Sequence, residues 1–144
     1  MNDSGNCRFD PNVETKGGDW RVDSRCPASI ELVRSLAKGS IVADIGCHGW
    51  LLSDAAHAAG VHLIGADRAE PPGRPEHASF VGCADSFICL PDDHCDLAIA
   101  SHVLEHVVDA VAFTAETLRI LKPGGRLWIE APSELSCQGR SADD

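Results

Sequence analysis

Short, mostly apolar runs recur along the chain at Ser40–Ile45, Val61–Ala66, Ala78–Gly82, Cys95–Ala100 and Arg126–Ala131. Each is bounded by glycine, proline or acids, which is the pattern of buried strands. Between them the spacing predicts helices. One opens at Cys26-Pro27-Ala28, where proline is tolerated in the first turn, shows Ile30, Val33 and Leu36-Ala37 on one face, and stops at Gly39. A second is expected from Trp50 to Ala59, with Gly60 ending it. A third starts at Asp109, a natural N-cap, and runs to Leu121 with Val111, Ala115, Leu118 and Leu121 along the side expected to face the core.

The remaining stretches read as connections. Pro71-Pro72-Gly73-Arg74-Pro75 is neither helix nor central strand, and it takes the place of a longer helical crossover. Asp85–Leu90 is a turn or a short helix closed by Pro91-Asp92-Asp93, and Lys122-Pro123-Gly124-Gly125 is a helix stop followed by a turn. Strands alternating with helices imply a parallel sheet with right-handed crossovers. Residues 1–25 are expected to be a flexible arm, 26–131 the folded core, and 132–144 a polar tail. In the arm, Trp20 and Arg21 have an alternative reading as a flap over a ligand.

The stretch Ile41-Val42-Ala43-Asp44-Ile45-Gly46-Cys47-His48-Gly49 organises the rest. A strand ends in an acid and two glycines, and an alanine-rich helix follows. Glycine admits φ > 0 and close approach of a ligand to the main chain. In open α/β sheets ligands sit at the carboxyl ends of the strands.

Composition narrows the choice of ligand. At 144 residues, with 44% hydrophobic and 24% charged positions, the chain has the make-up of one soluble globular domain. A net charge of −10 with scattered lysines and arginines argues against a nucleic-acid partner, which needs a concentrated basic face. With no long apolar run and no leader-like N-terminus, a cytoplasmic protein with no membrane partner is expected. Seven cysteines, an odd number with no Cys-x-x-Cys pair, read as reduced thiols.

Four ordered motifs, over roughly residues 40–131, resemble the class I S-adenosylmethionine-dependent methyltransferases of the type 11-like group. They are Asp44-Ile45-Gly46-Cys47-His48-Gly49, Asp67 after the second strand, Asp85-Ser86 before Leu90-Pro91, and the run from Asp96 through Ser101-His102-Val103-Leu104-Glu105-His106 to Lys122-Pro123-Gly124-Gly125. The resemblance implies a Rossmann-like, doubly wound parallel sheet of strand order 3-2-1-4-5. It also implies S-adenosylmethionine as cofactor and a small-molecule methyl acceptor. Asp44, Gly46, Cys47 and Gly49 are then expected at the amino-acid end of the cofactor, and Asp67 with Arg68 at its ribose. Asp85 and Ser86 are expected at the adenine, with Ser101 beside the sulfonium. An isolated acid after a strand is usually a solvated loop carboxylate; three on one sheet edge outweigh that reading. His102 is the candidate catalytic base, ahead of Glu105 and His106.

Two departures from the family stand out. The family loop is Asp-x-Gly-x-Gly-x-Gly. Either His48 and Trp50 replace its later glycines, or one residue is deleted and Gly49 is the last of them. The deletion is preferred because Trp50-Leu51-Leu52 then begins the helix. The antiparallel strands that follow the fifth strand in the family are also expected to be missing. That leaves an edge needing cover from the tail, a second copy or a partner subunit. Cys89, His94, Cys95, His102 and His106 lie near one another in sequence, and His102 and His106 have i, i+4 spacing, but a strand separates His94 from His102 and Cys89 and Cys95 lack zinc-ribbon spacing, so no metal is expected. Cys47 reads as packing and not as a nucleophile.

Overall fold

The computed structural model describes residues 27–131. The expected arm, Cys26 and the tail lie outside the described residues. Helix α1 covers Pro27–Arg34, α2 Ser53–Ala59 and α3 Ala110–Arg119. The strands are β1 (Ile41–Ile45), β2 (His62–Asp67), β3 (Ala78–Ala84), β4 (Phe87–Ile88), β5 (Cys95–Ser101) and β6 (Leu121–Glu130). They form one sheet in the order β4-β3-β2-β1-β5-β6. The pairs β1–β2, β1–β5, β2–β3 and β5–β6 are all parallel, which reproduces the expected 3-2-1-4-5 order.

β4 is an addition to that expectation. Within the stretch read as a turn or short helix, Phe87–Ile88 pairs antiparallel with Ala84 and Cys83, and Asp85-Ser86 becomes the two-residue turn. Ile88 is buried and supplies the apolar contact that holds the hairpin down. Its backbone N–H is taken by Glu116 Oε1 at 2.8 Å, from α3.

The alternating faces of β1, β2 and β5 divide the core. Val42, Leu63, Leu97 and Ile99 pack with α1 and α2 on one side. Ala43, Ile45, Ala66, Ala98 and Ala100 pack with α3 residues on the other. Both faces are covered, as a parallel sheet requires.

Of the side read for this helix, Val111, Ala115 and Leu118 face outward, and only Leu121, past the end of α3, is buried. Phe113 and Thr117 are the helix's own buried residues, with Ile120 continuing the stripe just past its end. Val111 is 80% and Leu118 54% exposed, and with Ala115 they line a shallow outer groove. Two stripes on α3 have helical period. The inner one carries the larger side chain, and Thr117 hides its hydroxyl by donating to Phe113 O at 2.8 Å. The N-cap is as expected: Asp109 Oδ1 accepts from the N–H groups of Val111 and Ala112, each at 2.9 Å.

The helix boundaries shift as well. α2 begins at Ser53 and not Trp50, and Trp50–Leu52 form a turn. α3 stops at Arg119, so Leu121 opens β6 opposite Cys95. Leu97 then pairs with Arg126, so Lys122-Pro123-Gly124-Gly125 bulges out within the strand as bounded. Among the described residues, β6 pairs with β5 alone.

Candidate functional site

The parallel strands deliver their carboxyl ends to one edge of the sheet. Asp44 lies one residue before the end of β1, between Gly65 of β2 and Ile99 of β5, and it is fully buried. The chain then leaves the sheet at Gly46, whose N–H donates to Ala66 O at 2.7 Å. Gly46 and Gly49 have φ of +73° and +80°. At Gly49 an added Cβ would meet nothing nearer than Leu51 Cγ at 3.9 Å, so the backbone there is open. At Gly46 it would fall 2.6 Å from Val103 Cγ2; the close approach that glycine permits is used there by the protein's own side chain.

Trp50 holds φ of +55°, the left-handed conformation that glycine favours. Such a backbone costs a non-glycine residue about 1–3 kcal/mol. Trp50 therefore occupies a glycine-like position in the loop. Gly49 and Trp50 both hold left-handed backbone, so the loop conformation is compatible with either register. His48 is exposed on the same loop.

Asp67 ends β2 opposite Gly82, and its Oδ1 accepts the N–H of Arg68 at 2.7 Å. Burial pushes its carboxyl above the ordinary value, while the Arg68 N–H and the charges of His48 and Arg68 pull the other way. Cys47 is buried against this pair. Burial first, then Asp44 and Asp67, push its thiol far up, which keeps it neutral and unreactive. The charges of both acids bear on that one thiol, so Asp44, Cys47 and Asp67 form a single electrostatic cluster.

Asp85 and Ser86 lie farther along the same edge, in the β3–β4 turn. Asp85 Oδ2 accepts from Val108 N at 3.0 Å, tying that turn to the segment after β5. Ser86 is exposed. Ser101 and His102 stand at the end of β5. Ser101 is buried and donates to Glu130 Oε2 at 2.7 Å. His102, with φ of +56°, donates its N–H to Glu130 O at 2.8 Å and places Nδ1 3.3 Å from Glu105 Oε1.

One residue escaped the sequence reading: Glu130, at the end of β6, follows the same acid-at-strand-end rule that marked Asp67. For Trp50, read either as a helix start or as a replaced family glycine, the seat of the indole was missed, although Gly65 inside a strand signals close approach of something to the backbone. Cys95 and His102 lie at opposite ends of β5, which separates the members of the cysteine–histidine set. Among the described residues no group of three or more His, Cys, Asp or Glu could hold a metal ion. No helix of the described residues is long and apolar enough to cross a membrane.

A mostly parallel sheet in this order, with a glycine loop and acids on its carboxyl edge, is a Rossmann-like α/β fold. The family model described as "Methyltransferase domain" matches residues 43–129. The chain belongs to that family. It is 30% identical over 128 residues to the "Ubiquinone biosynthesis O-methyltransferase" of Cereibacter sphaeroides strain KD131, covering 83% of this chain and 49% of the relative. The chain thus spans about half the length of the curated relatives it matches. Among solved structures, an S-adenosylmethionine-dependent methyltransferase from Mesorhizobium loti superposes with a TM-score of 0.61 at 24% identity, covering 75% of this chain and 54% of the other. A SAM-dependent methyltransferase from Aquifex aeolicus gives 0.61 at 19%, covering 72% and 62%. These last two likenesses are of fold.

Proposed function

We propose that this chain carries the S-adenosylmethionine-binding core of a methyltransferase whose acceptor is a small-molecule hydroxyl. The observation that carries the reading is the placement of Asp44, Asp67 and Asp85 at the carboxyl ends of three adjacent parallel strands, beside a glycine loop open at Gly49. The donor chemistry fits an elongated nucleoside–amino acid. Asp44 would meet the ammonium, Asp67 the ribose hydroxyls, and Asp85 with the Ser86 backbone the adenine. Gly46, Cys47 and Gly49 form the wall around the amino-acid end, and Arg68 flanks the ribose. The O-methyltransferase name of the relatives supports oxygen as the acceptor atom.

When bound, the cofactor supplies a methyl group already activated on a sulfonium. The chain's task is then to align the acceptor and exclude water. Ser101 and His102 face that task from the end of β5. An acceptor hydroxyl must lose its proton, and His102 would take it. Glu105 Oε1 lies 3.3 Å from His102 Nδ1 and would orient the ring.

Calorimetry of the full chain with S-adenosylhomocysteine tests the reading. Saturable binding is the expected outcome, and no detectable heat at millimolar ligand removes it. A second reading, a cofactor-binding module without turnover of its own, draws on Val103 occupying the approach to Gly46. Radiolabel transfer by the isolated chain to a broad panel of hydroxyl acceptors would eliminate that alternative.

A further inference from the structure

Trp50 links the two loops that the proposed function places around the cofactor. It belongs to the loop after β1, yet its indole is buried against β2, β3 and the segment that follows Asp67. Its ring meets Phe80 of β3 edge-on, with centroids 6.4 Å apart and planes at 72°. Its Nε1–H donates to Pro71 O at 3.4 Å. The closest packing is on Gly65 of β2. A Cβ there would fall 2.5 Å from Trp50 Cζ3, 2.7 Å from Cη2 and 2.7 Å from Cys47 Sγ. Real Cβ contacts are never that short, so β2 gives up a side chain at Gly65 to seat the indole.

That arrangement has a geometric consequence. Gly65 precedes Asp67 by two residues on β2, and Pro71 follows it by four. One side chain rooted in the glycine loop therefore grips the backbone on both sides of Asp67. The connection at 68–77 contains no helix. Trp50 covers sheet surface that a crossover helix would otherwise bury, and it does so from a strained backbone. A residue needed only to fill the core can do so from a relaxed conformation on any neighbouring element. The left-handed turn at Trp50 is required only if the loop itself must be held against β2.

We propose that Trp50 is a positioning residue: its indole, seated on Gly65 and bonded to Pro71, sets the separation between the glycine loop and Asp67 and so the affinity for the cofactor. This rests on the cofactor reading above. Removing the indole frees the loop. Adding a methyl group at Gly65 displaces the indole and has the same effect, and it also presses on Cys47 Sγ, 2.7 Å from that position. The two changes are coupled, because without the indole an alanine at 65 loses its clash with the ring and keeps only its approach to Cys47 Sγ.

The test is calorimetric titration of S-adenosylhomocysteine into the full chain, with thermal midpoints measured alongside. The variants are W50L, G65A and W50L/G65A, with V33A on α1 as a core-damaged control from the same apolar cluster. Wild-type heat is expected; its absence removes the cofactor reading itself, and this proposal with it. Given wild-type binding, W50L and G65A should each raise Kd about tenfold or more, the double variant by clearly less than the product of the two single effects, and V33A less than about twofold. Folded W50L and G65A that bind within about twofold of wild type overturn the proposal, as does an equal loss of affinity in V33A. Where W50L does not fold, W50F decides. It keeps a ring and loses the bond to Pro71, so a rise of about threefold supports the proposal and an unchanged Kd overturns it.

Discussion

Ser101 and Glu130 stand opposite each other in adjacent parallel strands, and the Ser101 hydroxyl donates to Glu130 Oε2 at 2.7 Å. Trp128 Nε1–H donates to the other carboxylate oxygen at 2.9 Å. The Glu130 backbone carbonyl accepts the His102 N–H at 2.8 Å. One residue of β6 thus fixes the end of β5, where His102 holds its left-handed turn.

Glu130→Ala removes the acceptor of two donors, one on a buried serine. Leaving such groups unmatched costs about 1–3 kcal/mol, so the urea midpoint should fall by an amount equivalent to about 2 kcal/mol. Glu130→Gln retains a carbonyl for one of the two and should lose about 1 kcal/mol. Equal midpoints for wild type and the alanine variant would show that the pair contributes nothing.

The inner face of α3 can be checked in the same way. Phe113 is 2% exposed, and Phe113→Ala should cost about 3–5 kcal/mol through lost burial and the cavity left behind. Leu118→Lys, on the outer stripe, should stay within about 0.5 kcal/mol of wild type. A reversal of that order in chemical denaturation would restore the face that the sequence pattern favoured.

That error shows what sequence pattern resolves and what it does not. The strands were legible because β1, β2 and β5 are buried on both faces and read as unbroken apolar runs with acids at their ends. Which of two helical stripes faces inward was not legible, because Val111, Ala115 and Leu118 look as core-like as Phe113, Thr117 and Ile120. The decision is made by the shape of the opposing sheet surface and by Thr117 bonding back to Phe113. The acids of the candidate site were found by one local rule, acid after strand. Applied to Arg126–Ala131 it points to Glu130 too. The seat of the Trp50 indole was out of reach because its partners Gly65, Pro71 and Phe80 are 15, 21 and 30 residues away.

Acid stability should depend on two carboxylates away from the site. Asp96 Oδ2 accepts from Ile41 N at 2.8 Å, and Lys122 Nζ lies 3.0 Å from both oxygens. The Ile41 N–H first, then Lys122, holds its carboxyl below the usual range. Hydrogen bonds from Arg119 do the same for Glu116, aided by Ile88 N–H. A folded-state pKa below the unfolded one adds stability that is present above the unfolded pKa, about 4 for these groups. It is lost as the pH falls through the lower, folded value. Urea midpoints followed downward from neutral pH should therefore decline below about pH 4, and less steeply in Asp96→Asn and Glu116→Gln. Parallel profiles for wild type and both variants would rule these two groups out as the cause.

Asp67 carries the opposite sign. Burial raises its folded pKa above the ordinary 3.8, so the native state binds a proton more readily than the unfolded chain. Stability then falls as the pH rises from the unfolded value through the folded one, and the loss persists at neutral pH. Asp67→Asn removes the half-buried charge, while its side-chain oxygen still accepts the Arg68 N–H. It should raise the thermal midpoint at pH 7, and the gain should vanish below about pH 4, where wild-type Asp67 is protonated in both states. The same variant gives up a charged acceptor at the proposed ribose position, and S-adenosylhomocysteine should bind it about 10- to 100-fold more weakly. A residue that is costly to the fold but needed by the ligand gives this opposed pair of changes. An Asp67→Asn chain that is less stable at pH 7, or that binds as tightly as wild type, would contradict the assignment of Asp67 to the site.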